Sequence, residues 1–513
     1  MPARCWKNAG CWMPPQSDPE PMQEEGDVTT LDKHYIDGVW TAGQGGSTFP
    51  IMNPATERQI GTVALGTSAD VDHAVTAAGR AFASFSRTSK AERLGYLHAL
   101  QQALADRTED MAQAISQEMG APITLSRNAQ AGCGPRHTGA FIAALEALEE
   151  EYLLPNGDMI RKEPIGVCGL ITPWNWPINQ IAQKVLPALA VGATCVLKPS
   201  EHTPLSAAIF AECVHAAGYP AGVFNLVFGD GAGVGSAMSQ HPDIAMMSFT
   251  GSTRAGAMVS RDSAESVKRV ALELGGKSAN LVFADCDLDS CVPASVQRCF
   301  LNTGQGCNAP TRMLVERSCY DEVLQLVETA AGKQTVDDPA KEGPHIGPLF
   351  DKMQFDRVQK MIQIGLDEGA RLLSGGLGRP DGVTTGWFAK PTVFADVTND
   401  MRIAREEIFG PVLSIIPFDT EEDAIRIAND NDYGLAAYVQ TGSAERARRV
   451  TAQLRAGVVA INGQGAASGS PFGGYKQSGN GREGGTFGLE EYLEVKVMPS
   501  IDAMISAGRF TAP

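Results

Sequence analysis

Apolar residues recur with a helical period through the first part of the chain. Between residues 70 and 148 they return every three or four positions, which is typical of amphipathic helices. Asp70 is a residue type that caps helix N-termini. The pattern therefore predicts helices over Asp70–Phe85 and Ser89–Arg107.

Short apolar runs alternate with helix-like stretches from Gly166 onward. The predicted strand–helix pairs are Ile165–Ile171 with Pro177–Leu189, Thr194–Leu197 with Pro204–Ala216, Val223–Val227 with Gly231–Ser239, and Ala245–Phe249 with Thr253–Ser263. A second region after Leu274 has the predicted elements Ala279–Phe283, Asp287–Leu301, Arg312–Val315, Tyr320–Ala331, Asp351–Glu368, Val412–Pro417, Thr420–Asn429 and Val458–Ile461. Such alternation predicts two α/β units, each with a mostly parallel sheet flanked by helices.

Two strand-like segments fall outside both units. They are Glu150–Lys162 and Tyr492–Pro499, and we predict that they pair with each other as an excursion from the two cores.

Composition limits the class of protein. The chain has 513 residues, of which 43% are apolar and 20% charged, so it is long enough for two to four domains and is not disordered as a whole. Its net charge of −17 argues against nucleic acid and anionic membranes as partners. No apolar run approaches the roughly 20 residues of a membrane span.

The cysteines and the N-terminal residues indicate in which compartment of the cell the protein is expected. The 11 cysteines are scattered over the chain, which indicates reduced thiols in the cytoplasm rather than a disulfide scaffold. Residues 1–30 are rich in Pro and acidic residues and lack the apolar core of a signal peptide, so we expect a disordered extension there.

Three glycine-rich turns follow predicted strands. Gly229–Gly235 opens a helix but has Val234 where a dinucleotide fingerprint needs its third glycine, so an ordinary strand–helix turn remains open. Gly251–Gly256 is suited to hold a phosphate at a helix N-terminus. Gly275–Ser278 ends like a P-loop, but Ala271 replaces its first glycine, which excludes an NTPase. Three such turns in one unit favour a nucleotide pocket.

Three side chains are candidates for chemistry. Cys307 lies between Gly306 and Asn308, a context that fits a nucleophile, although a buried structural thiol stays an alternative. Glu273 is a single carboxylate in an apolar run; burial would raise its pKa and suit a general base, whereas a solvent-facing strand residue is the alternative. Asn175 stands in a stiff Pro- and Trp-rich loop suited to fixing an amide donor.

A charged pair follows the predicted strand Thr194–Leu197. Lys198 and Glu201 are placed to bind a ribose diol, or are a solvated pair at a strand end. The eight histidines form no catalytic or zinc pattern, and four cysteines lack metal-ligand spacing, so no metal site is predicted; these are Cys286, Cys291, Cys299 and Cys319.

Several motifs come in one characteristic order. They are Asn53–Thr56, Ile171–Pro177, Lys198–Glu201, Phe249–Ser252, Leu272–Lys277, Gly304–Cys307, Glu406–Pro411 and Pro471–Gly479. Together they resemble the aldehyde dehydrogenase superfamily, in its NAD(P)-dependent, non-CoA-acylating branch, over about Tyr35 to Val497. The dinucleotide turn of that family is not GxGxxG, which accounts for the incomplete fingerprint.

The resemblance implies an α/β fold of three parts. These are a Rossmann-like NAD-binding domain over 31–149 and 164–275, an α/β catalytic domain over 276–476, and a small β oligomerisation arm over 150–163 and 490–503, after the extension at 1–30. It also implies a homodimer or homotetramer.

Functional residues are carried over position by position. The resemblance makes Cys307 the nucleophile, Glu273 the general base and Asn175 the oxyanion-hole amide. The implied NAD contacts are Ile171, Thr172, Pro173, Trp174, Lys198, Ser200, Glu201, Gly231, Gly235, Phe249, Gly251, Ser252, Leu274, Gly275, Glu407 and Phe409. The implied substrate contacts are Trp176, Leu301 and Phe472. A carboxylate at Glu201 repels a 2′-phosphate, which predicts NAD rather than NADP.

The expected activity is oxidation of an aldehyde to the free carboxylic acid. Relatives that transfer the acyl group to CoA lack the base, so Glu273 argues for hydrolysis; a CoA-acylating semialdehyde dehydrogenase and a catalytically silent binding protein are the alternatives. The loop Gly463–Ser470 has only small or unbranched polar side chains and no aromatic one, which predicts a roomy mouth for bulky, aromatic or medium- to long-chain aldehydes. Trp174 and Trp176 are expected to form its opposite wall, and no arginine pair for a semialdehyde carboxylate is evident.

Overall fold

A computed structural model describes residues 29–510. The strands are, in chain order, β1 Thr29–Leu31, β2 Lys33–Ile36, β3 Val39–Ala42, β4 Thr48–Asn53, β5 Arg58–Ala64, β6 Glu151–Leu153, β7 Asp158–Pro164, β8 Val167–Ile171, β9 Thr194–Lys198, β10 Phe224–Leu226, β11 Met246–Thr250, β12 Arg269–Glu273, β13 Ala279–Val282, β14 Arg312–Glu316, β15 Arg371–Ser374, β16 Thr392–Ala395, β17 Val412–Phe418, β18 Tyr433–Gly434, β19 Ala436–Gln440, β20 Val458–Ile461, β21 Tyr475–Lys476, β22 Gly479–Asn480 and β23 Leu493–Pro499.

The α-helices are α1 Ser68–Phe85, α2 Lys90–Asp106, α3 Thr108–Met119, α4 Ile123–Leu125, α5 Cys133–Ala147, α6 Pro177–Val191, α7 Pro204–Ala216, α8 Ser236–Gln240, α9 Thr253–Ser263, α10 Leu288–Phe300, α11 Tyr320–Gly332, α12 Lys352–Asp367, α13 Arg402–Arg405, α14 Glu421–Asn429, α15 Ala444–Thr451, α16 Gly485–Glu490 and α17 Ile501–Ser506. Within the described residues, none of these helices combines the length and apolar character needed to cross a membrane.

The first large sheet has eight strands in the order β22-β12-β11-β8-β9-β10-β2-β3. Its five central strands, β12 to β10 in that order, run parallel. The chain builds β8, β9 and β10 outward in one direction and then returns to add β11 and β12 on the other side of β8. The order therefore reverses between β8 and β11, where doubly wound sheets bind their ligands.

The second large sheet has seven strands in the order β15-β16-β17-β14-β13-β19-β20. All pairs are parallel except β15 with β16. Strands β13, β14, β16 and β17 are almost wholly buried, as expected for strands covered by helices on both faces. The two sheets confirm the predicted α/β fold class.

A third, antiparallel sheet joins two distant segments of the chain. Strand β23 pairs with β7 from Leu493 opposite Pro164 to Pro499 opposite Asp158, and β6 flanks β7. The two strand-like segments outside the cores thus do pair. Val495 and Val497 on the edge strand β23 are 62% and 60% exposed, an apolar surface that β23 leaves open to solvent.

Three local expectations differ from the structure. Thr67, not Asp70, caps α1, and Asp70 instead accepts a hydrogen bond from the Thr67 main-chain N–H at 2.8 Å, the reciprocal contact of a capping box. Residues 29 and 30, which the sequence placed in a disordered extension, pair with β5 as part of β1; the rest of that extension lies outside the described residues. Gly231–Gly235 forms a π-helical turn before α8.

Candidate active site

The predicted cofactor residues lie at one edge of the first sheet. Because the five central strands are parallel, their carboxyl ends meet at the same edge. The predicted residues lie at or just after the ends of five strands. At or after the ends of β8 and β9 these are Ile171, Thr172, Pro173, Trp174, Lys198, Ser200 and Glu201. At or after the ends of β10, β11 and β12 they are Gly231, Gly235, Phe249, Gly251, Ser252, Leu274 and Gly275. The turns after β8 and β11 flank the point at which the strand order reverses.

The glycines at this edge keep it open to a ligand. A Cβ added to Gly231 would meet no atom within 4 Å, and one added to Gly235 would lie 3.7 Å from Ile171 and 3.8 Å from Lys198. Ser252 caps α9, its hydroxyl accepting from the Ala255 N–H at 3.3 Å. Helix α9 begins directly after β11 at this edge, and a helix N-terminus there suits a dinucleotide pyrophosphate.

Lys198 and Glu201 form a partly buried ion pair rather than a solvated one. The Lys198 Nζ lies 3.2 Å from Glu201 Oε2, and the two side chains are 3% and 21% exposed. Burial is the largest single influence on the pKa of Glu201 and raises it, but the charge of Lys198, a main-chain hydrogen bond and the charge of His202 together hold that pKa below its ordinary value. Glu201 is therefore an anion at the position expected for the ribose contact.

Glu407 contacts Gly276, which follows the predicted cofactor residue Gly275, and Phe409 contacts the predicted cofactor residue Trp174. Glu407 Oε1 accepts a hydrogen bond from the Gly276 N–H at 2.9 Å, and a Cβ on Gly275 would lie 2.2 Å from the other carboxylate oxygen. Only glycine fits at Gly275 without moving Glu407. Phe409, at a positive φ of 60°, packs edge-on against Trp174 with ring centres 5.5 Å apart.

Cys307 opens into a cavity of about 530 Å³. Its thiol is half-buried, and the cavity is also lined by the predicted substrate contacts Trp176, Leu301 and Phe472 and by the small residues Ala466, Ala467, Ser468, Gly469 and Ser470. Trp174 does not join this wall. It stacks on Phe350 with ring centres 3.6 Å apart, so the expectation of a two-tryptophan wall is wrong for Trp174.

The surroundings of the Cys307 thiol disfavour its ionised form. Burial raises its pKa, and the nearby carboxylates of Glu407, Glu273 and Glu483 raise it further, because each opposes a negative charge on sulfur. The thiolate needed for attack on a carbonyl carbon must therefore be generated during the reaction.

A buried hydrogen-bond network joins the Asn175 loop to the Cys307 loop. The Asn175 side-chain amide donates to the Gln305 main-chain oxygen at 3.0 Å, and the Asn302 amide donates to the Asn175 main-chain oxygen at 3.0 Å. Asn302 and Thr303 both have positive φ, a costly conformation held in place by these contacts. Asn302 was not singled out by the sequence, since nothing in its spacing marks it.

Glu273 ends β12 and is buried, with only 5% of the residue exposed. Among residues 29–510, neither of its carboxylate oxygens finds a hydrogen-bond partner. Burial raises its pKa well above the ordinary value, and the charge of Glu483 adds to the effect. The alternative of a solvent-facing strand residue is therefore excluded.

The Glu273 carboxylate borders a small cavity next to the one that holds Cys307. Arg482, Glu483 and Tyr492 line the small cavity, and Glu483 lines both. Lys184 Nζ lies 2.6 Å from Glu483 Oε1. Glu483 thus borders the cavities of both the predicted base and the predicted nucleophile and is paired with Lys184. Sequence reasoning missed these two residues because they lie in α6 and after β22.

Two arginines also line the Cys307 cavity. They are Arg136 and Arg298, and over residues 29–510 neither is within salt-bridge distance of a carboxylate. The Arg298 guanidinium lies 4.9 Å above the Tyr438 ring centre. No arginine pair for a semialdehyde carboxylate is evident in the sequence, but α5 and α10 bring these two side chains to one cavity.

A doubly wound α/β sheet beside a cavity that holds a half-buried cysteine indicates a nucleotide-dependent enzyme. Residues 40–498 match the model of the aldehyde dehydrogenase family. The chain belongs to that family.

Similar proteins agree on this assignment. The chain is 53% identical over 467 residues to a 3-succinoylsemialdehyde-pyridine dehydrogenase from a Pseudomonas species, covering 90% of this chain and 97% of that one. A crystal structure of an aldehyde dehydrogenase from Bartonella henselae is 48% identical with a TM-score of 0.91, covering 92% of this chain and 99% of that one. A variant of aldehyde dehydrogenase C from Pseudomonas syringae, in complex with NAD+ and octanal, is 49% identical with a TM-score of 0.90, covering 91% and 96%.

Proposed function

We propose that this protein oxidises an aldehyde to the free carboxylic acid with NAD+ as the oxidant, through a covalent intermediate on Cys307. The observation that carries the proposal is the position of the thiol: it opens into a substrate-sized cavity and sits in a loop tied directly to Asn175. The P. syringae relative in complex with NAD+ and octanal supports the same cofactor and substrate class.

Bond formation begins at Cys307. The Cys307 thiol gives its proton to water and the sulfur adds to the aldehyde carbon, which turns the carbonyl oxygen into an oxyanion. One Asn175 amide hydrogen bonds Gln305, and the second is free to donate to that oxyanion, together with the Cys307 main-chain N–H. One such donor stabilises the transition state by about 3 kcal/mol. Bound NAD+ supplies the acceptor for the hydride that leaves the adduct.

The resulting thioester is opened by water. Glu273 takes a proton from that water, the hydroxyl adds to the thioester carbon, and the carboxylic acid leaves as the Cys307 sulfur is released. A base that is buried, without hydrogen-bond partners and raised in pKa is suited to accept a proton near neutral pH. Its side chain must turn from the small cavity toward Cys307, with Glu483 and Lys184 beside its path.

The charge at Glu201 sets the cofactor preference. An ionised carboxylate accepts hydrogen bonds from a ribose diol but repels a 2′-phosphate. Its ion pair with Lys198 keeps it ionised and fixed, which supports NAD+ over NADP+.

The cavity supports bulky, aromatic or medium- to long-chain aldehydes. A volume of about 530 Å³ lies within the range of ligand sites for drug-sized molecules. The names of the relatives point the same way: one acts on an aldehyde with a pyridine ring, and one was crystallised with octanal. Arg136 and Arg298 add two hydrogen-bond donors, so an acceptor group at the far end of the aldehyde would be favoured.

The exposed edge of β23 supports a homodimer or homotetramer. Val495 and Val497 present apolar surface on an edge strand, which single chains rarely leave open. Light scattering on the protein and on its Val497→Asp variant tests this: we expect an oligomer that the variant weakens, and a monomeric parent protein would contradict the proposal.

A panel of aldehydes with NAD+ tests the function itself. NADH formation with carboxylic acid as the product, without added CoA, is the expected result. Product that appears only as acyl-CoA, and only when CoA is present, would instead support the CoA-acylating alternative. Absence of NADH with every aldehyde would support a silent binding protein.

A further inference from the structure

Two cysteines outside the catalytic cavity lie side by side at the start of α10. The Cys286 and Cys291 sulfur atoms are 3.2 Å apart. Cys286 immediately precedes Asp287, the helix cap, whose carboxylate accepts from the Ser290 N–H at 3.3 Å. Cys291 lies in the first turn, where its N–H donates to the Asp287 main-chain oxygen at 2.9 Å. The cap and the first turn hold the two thiols against each other.

This pair is open to small molecules, unlike most other thiols of the protein. Of the nine cysteines in the described part of the chain, six are buried, and the remaining three are Cys286, Cys291 and the predicted nucleophile Cys307. Cys286 and Cys291 line a cavity of about 680 Å³ that also borders Tyr438 and Asn462. A reagent of glutathione size therefore has room to reach both sulfur atoms.

We propose that Cys286 and Cys291 form a reactive dithiol site, which low-molecular-weight disulfides oxidise to an intramolecular disulfide. The thiolate of Cys291 attacks one sulfur of the small disulfide, forming a mixed disulfide and releasing one small thiol. Cys286 then attacks the Cys291 sulfur and releases the second small thiol. The two protein thiols lose two electrons, the small disulfide gains them, and the two protons pass to the departing thiolates.

The surroundings make Cys291 the first to react. Either thiol can donate across the contact between the two sulfur atoms; with Cys286 as the donor, the contact lowers the pKa of Cys291, although burial opposes it. A position in the first turn of a helix further favours a thiolate. Closing the bond requires the sulfur atoms to approach from 3.2 Å to about 2.05 Å, a movement within the reach of side-chain rotation.

The experiment treats the full-length Cys307→Ala variant with glutathione disulfide, so that no disulfide can form at the predicted nucleophile. Intact mass and non-reduced peptide mapping then identify the product. We expect a peptide in which Cys286 and Cys291 are joined and which is two hydrogens lighter than its reduced form. Phenylarsine oxide, which bridges paired thiols, should bind once per chain and block the oxidation.

Single variants separate the roles of the two thiols. With Cys286→Ser added, Cys291 should stop at the mixed disulfide; with Cys291→Ser added, Cys286 should react at least tenfold more slowly. The double serine variant in an otherwise unchanged chain should keep its NADH production, because neither thiol lies in the catalytic cavity. Two separate mixed disulfides in the unmutated pair, or no reaction at either thiol, would overturn the proposal without bearing on aldehyde oxidation.

Discussion

The side-chain amide of Asn175 donates a hydrogen bond to the main-chain oxygen of Gln305 at 3.0 Å. Asn175 belongs to the loop after β8 of the first sheet, and Gln305 to the loop that carries Cys307 between α10 and β14. This contact fixes the amide relative to the sulfur before any substrate arrives. It therefore joins the predicted cofactor edge of one sheet to the loop of the other unit that carries Cys307.

Replacing Asn175 with alanine should lower kcat by about 10²- to 10³-fold, the usual effect of losing one oxyanion donor. Binding of NAD+, followed by quenching of protein fluorescence, should stay unchanged. Asn156→Ala is the matched control, since Asn156 lies exposed in the turn between β6 and β7, and it should keep the parent rate. An Asn175→Ala enzyme with an unaltered kcat would rule out the oxyanion role.

Cys307→Ala should abolish aldehyde-dependent NADH formation while leaving NAD+ binding intact. The reason is chemical: without sulfur no covalent adduct forms, and hydride transfer has no donor. Cys319→Ala, at a buried thiol packed in the core beside α11, is the control that should retain turnover. Equal activity in both variants would remove Cys307 from the mechanism.

Glu273→Gln should separate acylation from hydrolysis. The first turnover still produces NADH, because attack by Cys307 does not use this carboxylate, but the thioester then persists. Rapid mixing should show a burst of NADH close to one per active site, followed by a slow steady rate. A variant whose burst and steady rates both equal those of the parent would exclude Glu273 as the base.

The same variant should be more stable than the parent at alkaline pH. Burial raises the pKa of Glu273 in the folded chain, so the folded state binds a proton that the unfolded state has lost, and stability falls as pH rises through that window. Gln carries no charge and escapes this loss. Thermal unfolding across pH should show a gap in Tm that widens with increasing pH.

Glu118 provides the contrasting control. It is also a buried carboxyl, with its pKa raised by burial to about 7, but it accepts hydrogen bonds from the Leu205 and Ser206 N–H groups at the start of α7. Glu118→Gln should therefore destabilise the protein, because a helix terminus loses its acceptor. If Glu273→Gln and Glu118→Gln changed Tm in the same direction, burial of a carboxyl group without a hydrogen-bond partner would not explain the effect at Glu273.

The sequence predicted the parts of this fold that depend on local patterns. Helices α7 and α9 and strand β20 have the predicted bounds, because the residue pattern that determines each element lies within the element itself. Contacts between distant segments of the chain could not be predicted from the sequence. Trp174 stacks on Phe350 rather than on the substrate cavity, and nothing near either residue in the chain encodes that contact.

The candidate site divides in the same way. Residues that follow the parallel strands could be placed at one edge from the βα pattern alone, since carboxyl ends of parallel strands meet. The orientation of the Glu273 carboxylate and its proximity to Glu483 could not be predicted from the sequence. Strand β12 and the segment after β22 come together only in the folded sheet. The roles of Glu273 as base and of Asn175 as oxyanion donor, and the domain limits, stay predictions.

Glu201→Gln should raise the use of NADP+. The parent carboxylate is ionised beside Lys198 and repels a 2′-phosphate; removing about 1.4 kcal/mol of that repulsion changes binding tenfold. We expect kcat/KM with NADP+ to rise by roughly tenfold or more, while Glu201→Asp keeps the preference for NAD+. No shift in the ratio of the two cofactors would contradict the ribose contact.

Arg136 and Arg298 should set the preference for the far end of the aldehyde. Both line the Cys307 cavity without a carboxylate partner among the described residues, so a substrate acceptor would meet free guanidinium donors. A hydrogen bond to a charged group stabilises by about 1.5–3 kcal/mol, which corresponds to roughly tenfold or more in kcat/KM. Arg298→Gln should therefore weaken oxidation of an aldehyde that ends in a carboxylate or a pyridine ring. It should leave an unsubstituted alkyl aldehyde of the same length unaffected.

The control for this comparison is Arg261→Gln, at an exposed arginine of α9 paired with Asp262. It alters the net charge of the protein equally but lies away from the Cys307 cavity, so it separates a local contact from long-range attraction. If both variants reduce the rate with the charged aldehyde alike, the effect comes from overall charge. If Arg298→Gln alone does so, and the loss is in KM rather than kcat, the arginine binds the distal group of the substrate.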